Sequence, residues 1–453
     1  MATRDYVGEA LARAAVAAPN PSGQRDAAPV RVAPITGGAR MAASQANQVD
    51  DHWPTMDEAA YYGLAGDVVR SLEPHSEADP NGILIQFLAA FGNAIGSAPH
   101  YQIEGDQHRA KLFVVMSGAT AKGRKGTALG RIRQIMTIAD PDWEAGNINT
   151  GLSSGEGVIS HVRDPIYKDG EVIDPGVPDK RLMLVTEEFV GALSVMERAG
   201  NTLSPVLRDA WGTARLQTLT KNFPLKATGS HISIIGHVTD EELRARLTRT
   251  EMANGFANRF LFMKVRRSKE LPHGGNLDPA VLHALGERIG TALKQARMLG
   301  RLTMSPDAAY AWEAAYSALS GERPGLLGAI LGRAEAQALR LAVIYAALDN
   351  ATQISVMHLE AALGVWAFCE DSAAQIFGDL VGDNVADAIL DALKIATNGM
   401  SRTEISALFF RNASSSRISI ALDLLRRLGR ARSGVVPTQG RDKERWYAVG
   451  RSK

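Results

Sequence analysis

The sequence predicts an α/β protein with a parallel sheet, an α-helical region after the sheet and a winged helix at the carboxyl end. Three observations lead to this fold class. The apolar run at residues 112–115 is followed by a segment with three glycines and then by a helical pattern. A second apolar run, residues 182–185, ends in two adjacent carboxylates. Residues 381–453 combine three helical patterns with two β-prone runs.

Length and composition indicate an ordinary soluble protein of several domains. The 453 residues are 45% hydrophobic and 22% charged, which suffices for large cores and favours roughly two to four domains. No apolar run approaches the ~20 residues that a membrane-spanning helix needs, and the amino terminus lacks an apolar signal region. We therefore expect a cytoplasmic protein with no membrane partner. The one cysteine, Cys369, excludes an internal disulfide framework and is expected in the core.

Composition shifts divide the chain into four predicted segments. Residues 1–50 are rich in Ala, Pro, Gly, Ser and Gln and should form a disordered tail. Residues 51–275 hold the α/β core, which begins with a buried helix at 83–95 and a strand pair at 101–103 and 112–115. Residues 276–380 form a helical region, because apolar residues recur there at steps of three and four. Residues 381–453 form the winged helix.

The segment from Lys111 to Met136 has the order strand, loop and helix, which is the order of a P-loop. Such a loop directs successive backbone N–H groups toward the positive end of a helix and so suits a polyphosphate. Lys125 would neutralise the β- and γ-phosphates of ATP, and Thr127 would bind Mg²⁺. The predicted nucleotide-binding residues are Gly118, Gly123, Arg124, Lys125, Gly126 and Thr127.

The match to the standard pattern G-x-x-x-x-G-K-S/T is imperfect. Arg124 stands between Gly123 and Lys125, and Gly126 stands between Lys125 and Thr127. The Lys-Gly-Thr order also occurs in nucleotide-kinase P-loops, so the required chemistry is retained. The alternative is a basic, glycine-rich turn that only reverses the chain between strand and helix.

The strand at residues 182–185 is followed by Glu187 and Glu188, at the sheet edge where α/β proteins bind ligands. This is the form of a Walker B segment. Glu187 would hold the Mg²⁺ shell through water, and Glu188 would orient the attacking water. Glu187 stands where Asp is usual in this motif, so the alignment of the motif with the sequence could be shifted by one residue. Two acids in this position also occur as the first turn of a helix.

The next buried strand, residues 232–235, ends near His237 and Thr239. A polar group there can sense the γ-phosphate, which is the sensor-1 role that we assign to His237. Thr239 also begins a capping box with Glu242, so capping is the alternative for this residue. Further on, Arg259 stands before another strand, where it would act as an arginine finger on a neighbouring subunit's nucleotide.

The order of these motifs resembles that of AAA+ motors of the minichromosome-maintenance type: Glu-Glu-Phe, a strand with a polar sensor, then Asn-Arg-Phe before a further strand. In that family Arg-Phe carries the finger. Residues 332–366 look like the helical lid of these motors, so the resemblance implies that the segment 276–380 is a helical lid, and the first Arg of such a lid is the sensor-2 residue. Arg333 takes that position, so the resemblance implies that it binds nucleotide. From the residues alone, a solvent-exposed side chain is the favoured interpretation of Arg333.

Residues 53–377 also resemble a P-loop family of plasmid, phage and prophage replication proteins, which often form the helicase-like part of primase-polymerase fusions. The phrases GRKGT, GLSSGEG, ISIIGHVT and NGFANRFLFMKVRRSK carry this resemblance. It implies a role in DNA replication and a primase as a further partner.

Two segments of the core are candidate DNA contacts. A hairpin around Asp169-Gly170 carries Lys168 and would reach into a central channel, or it is decoration. A turn-prone stretch, residues 221–230, carries Lys221 and Lys226 and is a candidate second loop facing DNA.

The carboxyl-terminal segment is strongly basic. Residues 401–453 contain twelve Lys and Arg and four Asp and Glu, a net charge of +8, whereas the whole chain has a net charge of +1. The third helix of the predicted winged helix offers Arg417 for a DNA groove, and the wing offers Arg441, Lys443 and Arg445 for phosphates. The alternative is a winged helix that binds protein; the charge favours nucleic acid.

The sequence therefore predicts an ATP-dependent, Mg²⁺-dependent DNA motor with an AAA+/RecA-like core, forming a homo-oligomer that we expect to be a hexameric ring. A replicative helicase or helicase-like replication protein of a mobile element fits best. Two alternatives stay open. One is a nucleotide-switched DNA-binding initiator or regulator that does not separate strands. The other is a scaffold that binds nucleotide without hydrolysis, which Arg124 and the Glu at position 187 make plausible.

Overall fold

The structure is a computed structural model that describes residues 53–119, 123–218, 224–321, 323, 325–378, 380–410, 412–436 and 443–449. The predicted tail, residues 1–50, lies outside the described residues, as do Lys221 and Arg441. The side chain of Lys443 also lies outside the described part of the chain.

The described strands alternate with helices over the first half of the chain. In chain order they are β1 (His100–Ile103), β2 (Asp106–Arg109), β3 (Phe113–Ser117), β4 (Ile148–Thr150), β5 (Ile166–Lys168), β6 (Glu171–Asp174), β7 (Arg181–Thr186), β8 (Arg215–Gln217), β9 (Lys226–Thr228), β10 (His231–Val238), β11 (Leu261–Lys264), β12 (Arg301–Met304), β13 (Gln353–Ile354), β14 (Met400–Ser401), β15 (Ala431–Val436) and β16 (Lys443–Ala448).

The described α-helices dominate the second half. They are α1 (Gly63–Leu72), α2 (Pro80–Ile95), α3 (Lys125–Ala139), α4 (Pro141–Gly146), α5 (Gly155–Ser160), α6 (Phe189–Met196), α7 (Leu203–Gly212), α8 (Asp240–Arg246), α9 (Arg249–Ala253), α10 (Pro279–Ala296), α11 (Pro306–Leu319), α12 (Gly325–Leu331), α13 (Ala334–Leu348), α14 (Val356–Phe377), α15 (Asn384–Ile395), α16 (Arg402–Leu408) and α17 (Ser415–Arg427). Short 3₁₀ helices lie at Glu58–Tyr61, Glu73–His75 and Ala257–Arg259.

A five-stranded sheet with all neighbours parallel forms the centre of the molecule, in the order β11-β3-β10-β7-β4. All five residues of β3 and all eight of β10 are buried. Continuous apolar runs of this kind suit strands that helices cover on both faces. The predicted α/β class, with a parallel sheet containing the 112–115 and 182–185 runs, is therefore confirmed.

The strand order creates a topological switch between β3 and β10. From β3 the chain crosses to the far edge at β4, returns through β7 and β10, and then passes β3 to reach β11. The connections that leave the neighbours β3 and β10 thus run in opposite directions, and right-handed crossovers send them to opposite faces of the sheet. Ligands of open α/β sheets bind outside the carboxyl ends of strands at such a point.

A second, four-stranded sheet has the order β13-β12-β1-β2 and overturns two expectations. The strand at 101–103 pairs with β2 and β12, not with the 112–115 strand, because a turn at Glu104 (φ 48°) folds β2 back onto β1. The region 277–378 is not entirely helical, since β12 and β13 lie within it. Both strands are short, and only their partners distant in sequence reveal them.

Two separate hydrophobic cores pack the described residues. The larger core runs from Met56 to Phe377 and includes almost all of α2 and α13. The smaller core joins α15, α16 and α17 to the hairpin of β15 and β16, with Trp446 at its centre. The three helices and the hairpin predicted for the carboxyl end are therefore present.

Several local predictions are confirmed. Asp169 and Gly170 both have positive φ, as a tight hairpin turn requires, and they connect β5 to β6. Cys369 is buried, and its burial raises the pKa of the thiol. None of the described helices combines the length and the apolar character that crossing a bilayer requires.

The variant Gly92→Ala tests how tightly the buried helix α2 is packed. A Cβ at this position would lie 2.2 Å from the carbonyl oxygen of Ala110 and 2.9 Å from Ile344 Cδ1. We expect Gly92→Ala to lower the free energy of unfolding by about 1–3 kcal/mol through overpacking. Urea unfolding monitored by circular dichroism measures the loss. Gly130→Ala is the matched control, because its Cβ meets no atom within 4 Å, and an equal loss in both variants would contradict the packing argument.

Candidate functional site

Gly118 and Ala119 follow the carboxyl end of β3, and Gly123 and Arg124 precede α3, so the described ends of this connecting loop lie at the topological switch. The Gly118 N–H donates a hydrogen bond to the carbonyl oxygen of Val238, 3.3 Å away at the end of β10. A Cβ at Gly118 would lie only 2.2 Å from the carbonyl oxygen of Val265, which follows β11. Glycine is therefore required where the chain leaves β3, because the ends of three strands meet there.

Lys125 is the first residue of α3, and its side chain points back over the strand ends. Its Nζ donates hydrogen bonds to the carbonyl oxygens of Gly118 (2.8 Å) and Val238 (3.1 Å). Burial lowers the pKa of Lys125, and the carboxylates of Asp240 and Glu242 oppose this shift. The ammonium is thus held between β3 and β10 by neutral carbonyl groups, which an anionic ligand oxygen can replace.

Arg124 occupies the left-handed region, with φ 48° and ψ 28°, directly before α3. Its side chain turns toward Glu77 and forms an ion pair with an Nε to Oε2 distance of 2.6 Å. Glu77 also accepts a hydrogen bond from the Leu271 N–H and pairs with Arg267. The Leu271 hydrogen bond and the Arg267 guanidinium lower the pKa of Glu77. The residue that departs from the standard motif is therefore anchored outside the loop.

The two acids that follow β7 lie on the other side of β10 from the loop. Thr186, the last residue of β7, pairs with Gly236 of β10. The Oε1 atom of Glu187 lies 4.0 Å from the ideal Cβ position at Gly126, in the first turn of α3. Glu188 is exposed at the N-cap position of α6. The edge of the sheet thus brings together the loop residues and the acids that the sequence assigned to one site.

Thr127 and Glu187 are the residues here that fit Mg²⁺. Both are exposed, and they flank Gly126 from the helix and from β7. Within the described residues, no group of three or more His, Cys, Asp and Glu could hold a metal ion by itself. Magnesium usually keeps several waters and takes one or two protein ligands together with substrate phosphates. A hydroxyl and a carboxylate fit that requirement.

His237 is buried between the ends of β3 and β7. It pairs with Met116 of β3, and its Nε2 has no hydrogen-bond partner within the described protein. Burial and, secondarily, the charge of Lys125 lower the pKa of His237 to about 4. The imidazole is therefore neutral near pH 7 and has an unpartnered ring nitrogen. Thr239 forms the predicted capping box with Glu242, so its alternative role is confirmed.

Asp240 is a member of this edge that sequence reasoning missed. Its carboxylate accepts a hydrogen bond from the Ser117 hydroxyl and forms an ion pair with Lys264 Nζ at 3.1 Å. The contact ties the ends of β3, β10 and β11 together. The sequence offered a signal, because Asp240 follows the capping residue Thr239, but only the sheet order brings Ser117 and Lys264 to it.

A second cluster, which we call the arginine cluster, consists of Arg208, Arg259 and Arg333. The guanidinium carbons of Arg259 and Arg333 lie 5.7 Å and 5.1 Å from the ring centre of Trp211. Arg333 donates a hydrogen bond to the Asn258 side chain, and Arg259 donates one to the Arg208 carbonyl oxygen. Burial, Arg333 and Arg208 lower the pKa of Arg259 to about 10. Three half-buried cations thus lie together.

The arginine cluster lies at the amino ends of the strands, which we call the amino edge of the sheet, whereas Lys125 lies at their carboxyl ends, the carboxyl edge. Arg259 precedes β11, whose first residue, Leu261, pairs with Val114 near the start of β3. The loop begins at the other end of β3, and at about 3.3 Å per residue the two edges are ~16 Å apart. Arg333 and Arg259 share their surroundings, whereas neither shares those of Lys125.

The candidate DNA contacts are distributed over several surfaces. Lys168 and Lys226 are exposed on the β5–β6 hairpin and on β9. Arg417 forms two hydrogen bonds with the Asp383 carboxylate, both 2.7 Å long. Arg445 donates to the Gly399 carbonyl oxygen and pairs with Glu404. Two of the predicted phosphate or groove contacts are therefore already bound to groups of the same chain.

No protein-family model matches the chain, and a search of curated proteins finds no significant match.

The buried, neutral His237 gives a prediction about acid stability. Its pKa is about 4 in the folded chain and about 6.5 when exposed, so the unfolded state binds a proton first as the pH falls. We expect this histidine to reduce the free energy of unfolding by about 1.4 kcal/mol per pH unit between pH 6.5 and 4. Urea unfolding at several pH values measures the slope.

His237→Asn should have a shallower slope than the wild type over this range, because Asn does not titrate. His283→Asn is the control, since the His283 side chain is exposed in the folded chain. Parallel curves for the wild type and His237→Asn would show that His237 is not buried in a neutral form.

Proposed function

We propose that the chain is an Mg²⁺-dependent ATPase of the AAA+ type that acts on DNA, a ring-forming replicative helicase or helicase-like replication protein of a mobile element. The observation that carries the proposal is the position of Glu187 beside Gly126, with Lys125 held over the ends of β3 and β10. A lysine, a hydroxyl and two acids at the switch point of a parallel sheet form the set that phosphoryl transfer from ATP requires.

In this proposal each residue has one task at the carboxyl edge of the sheet. The loop N–H groups and the positive end of α3 bind the phosphates, and Lys125 exchanges its carbonyl partners for phosphate oxygens. Thr127 and Glu187 hold Mg²⁺, which neutralises charge on the β- and γ-phosphates when bound. Glu188 orients the attacking water. His237, neutral and with a free Nε2, forms a hydrogen bond at the γ-phosphate side.

The position of the arginine cluster supports the proposal of an oligomer. Arg259 and Arg333 are too far from Lys125 along β3 to serve the nucleotide of their own chain. Burial and the nearby charges of Arg333 and Arg208 lower the pKa of Arg259, so an anion placed beside Arg259 would be stabilised. A head-to-tail arrangement would bring this edge of one subunit to the loop edge of the next. Such interfaces close into a ring where the rotation between subunits allows it, and the ring that we propose is a hexamer. Both arginines then act on the neighbour's nucleotide.

DNA binding rests on the carboxyl-terminal segment, interpreted as a winged helix, and on the exposed Lys168 and Lys226. The net charge of +8 over residues 401–453 favours a polyanion. Because Arg417 and Arg445 are bound to carboxylates, a DNA contact by either requires a phosphate to replace Asp383 or Glu404. Such exchange makes binding sensitive to salt. A primase is the further partner implied by the sequence resemblance.

Lys125→Ala tests the ATPase assignment. We expect the rate of ATP hydrolysis, measured as phosphate release with and without single-stranded DNA, to fall by at least about 100-fold, because one charge-stabilising donor is worth that much. The matched control is Lys294→Ala, an exposed lysine of α10, which should keep the wild-type rate. Retained turnover in Lys125→Ala would refute the assignment. Wild-type binding to duplex DNA without strand separation would instead support a nucleotide-controlled initiator.

Arg259→Ala and Arg333→Ala test the action between subunits. Each should slow hydrolysis, by about 10³-fold for Arg259, while nucleotide affinity changes little. Mixing either variant with Lys125→Ala subunits should restore part of the rate, because the intact arginine of one subunit meets the intact loop of another. Arg288→Ala, which removes an exposed arginine, is the control. A mixture no faster than its components would contradict action in trans.

A further inference from the structure

A cavity of about 580 Å³ lies beside the loop, on the β11 side of β3. Gly118, Ala119 and Gly123 line the cavity, which is therefore continuous with the surface that would bind phosphates. Trp53, Lys264 and Arg266 also line it. The volume falls within the range of pockets that take small organic ligands.

We propose that this cavity binds the nucleoside part of the triphosphate, with the base against Trp53. The inference deepens the proposed function and rests on it. The order of the strands indicates how a bound triphosphate would be oriented. Glu187 follows β7, which lies on one side of the β3–β10 pair. The cavity lies on the other side of this pair, next to β11. A triphosphate whose terminal phosphate points to Glu187 has its nucleoside end at Trp53.

Trp53 has the character of a stacking surface. It is only partly buried, and because it lines the cavity, part of its ring borders open space. Lys264 Nζ and the Arg266 guanidinium carbon lie 4.8 Å and 4.7 Å from the ring centre. These two cations fix the indole against the end of β11. Bases bind well to aromatic faces, whichever base is present.

The charges around the cavity favour a nucleoside over a further phosphate. Three cations and three carboxylates line it: Lys264, Arg266, Arg267, Asp240, Glu241 and Glu270. The formal charges of the lining side chains therefore sum to zero. A neutral sugar and base suit such a site, since the exposed carboxylates of Glu241 and Glu270 can accept hydrogen bonds from ribose hydroxyls.

Lys264 links the cavity to the phosphate side. Its Nζ pairs with Asp240, which accepts a hydrogen bond from Ser117 at the end of β3. The part of the cavity lining around Trp53 is thereby fixed relative to Gly118 and Lys125. A packing role for Trp53 alone predicts that its loss lowers stability, whereas a base-binding role predicts a loss of affinity that depends on whether the ligand has a base.

Two ligands separate base binding from phosphate binding: ATP and inorganic tripolyphosphate, each with Mg²⁺. We expect Trp53→Ala to weaken ATP binding about five- to one-hundred-fold in isothermal titration calorimetry of the full chain, and to leave tripolyphosphate affinity unchanged. Trp53→Phe should recover most of the ATP affinity. Tyr310→Ala, which removes an exposed aromatic side chain of α11, should bind both ligands as the wild type does.

Lys125→Ala should lose affinity for both ligands, which makes the two proposals distinguishable. If Lys125→Ala loses affinity for both ligands but Trp53→Ala binds ATP with wild-type affinity, the proposed base pocket is contradicted and the proposed phosphate site is supported. An equal loss of ATP and tripolyphosphate in Trp53→Ala would assign Trp53 to structure and also overturn the base pocket. If the wild type binds neither ligand, the nucleotide proposal fails, and the base pocket fails with it.

Discussion

The contact of Lys125 with the carbonyl oxygens of Gly118 and Val238 is the interaction on which the rest of the site depends. It exists because β3 and β10 are neighbours whose connections leave in opposite directions, so that α3 begins directly above their ends. An ammonium group that is partly removed from water and donates hydrogen bonds only to neutral carbonyl groups attracts an anion strongly.

The two edges of the central sheet have different electrostatic characters. The carboxyl edge mixes Lys125 with Glu187, Glu188 and Asp240 and keeps His237 neutral through burial. The amino edge gathers arginines around Trp211, where burial and the neighbouring guanidinium groups lower the pKa of Arg259. In the head-to-tail assembly that we propose, the cations at one edge would meet the proposed phosphate site at the other edge of the next subunit.

Much of the fold and part of the site could be predicted from local patterns. The apolar runs at 112–115 and 182–185 were correctly assigned to a parallel sheet, because strands covered on both faces need no alternation. The Asp169-Gly170 turn and the Thr239 capping box were also correct, since each depends on residues adjacent in sequence. The strands β12 and β13 were missed, because two to four residues carry too little periodicity to be recognised.

The sequence by itself determined which residues have the chemistry of a phosphate site: a lysine and a hydroxyl after glycines, and paired acids after a strand. The tertiary structure alone decided which of them meet. It set Arg124 against Glu77, joined Asp240 to Ser117 and Lys264, put Trp53 beside the loop, and moved Arg333 to the edge remote from Lys125. The physical reason is that these contacts join residues far apart in the chain, and their pairing follows from strand order and from the packing of helices on the sheet.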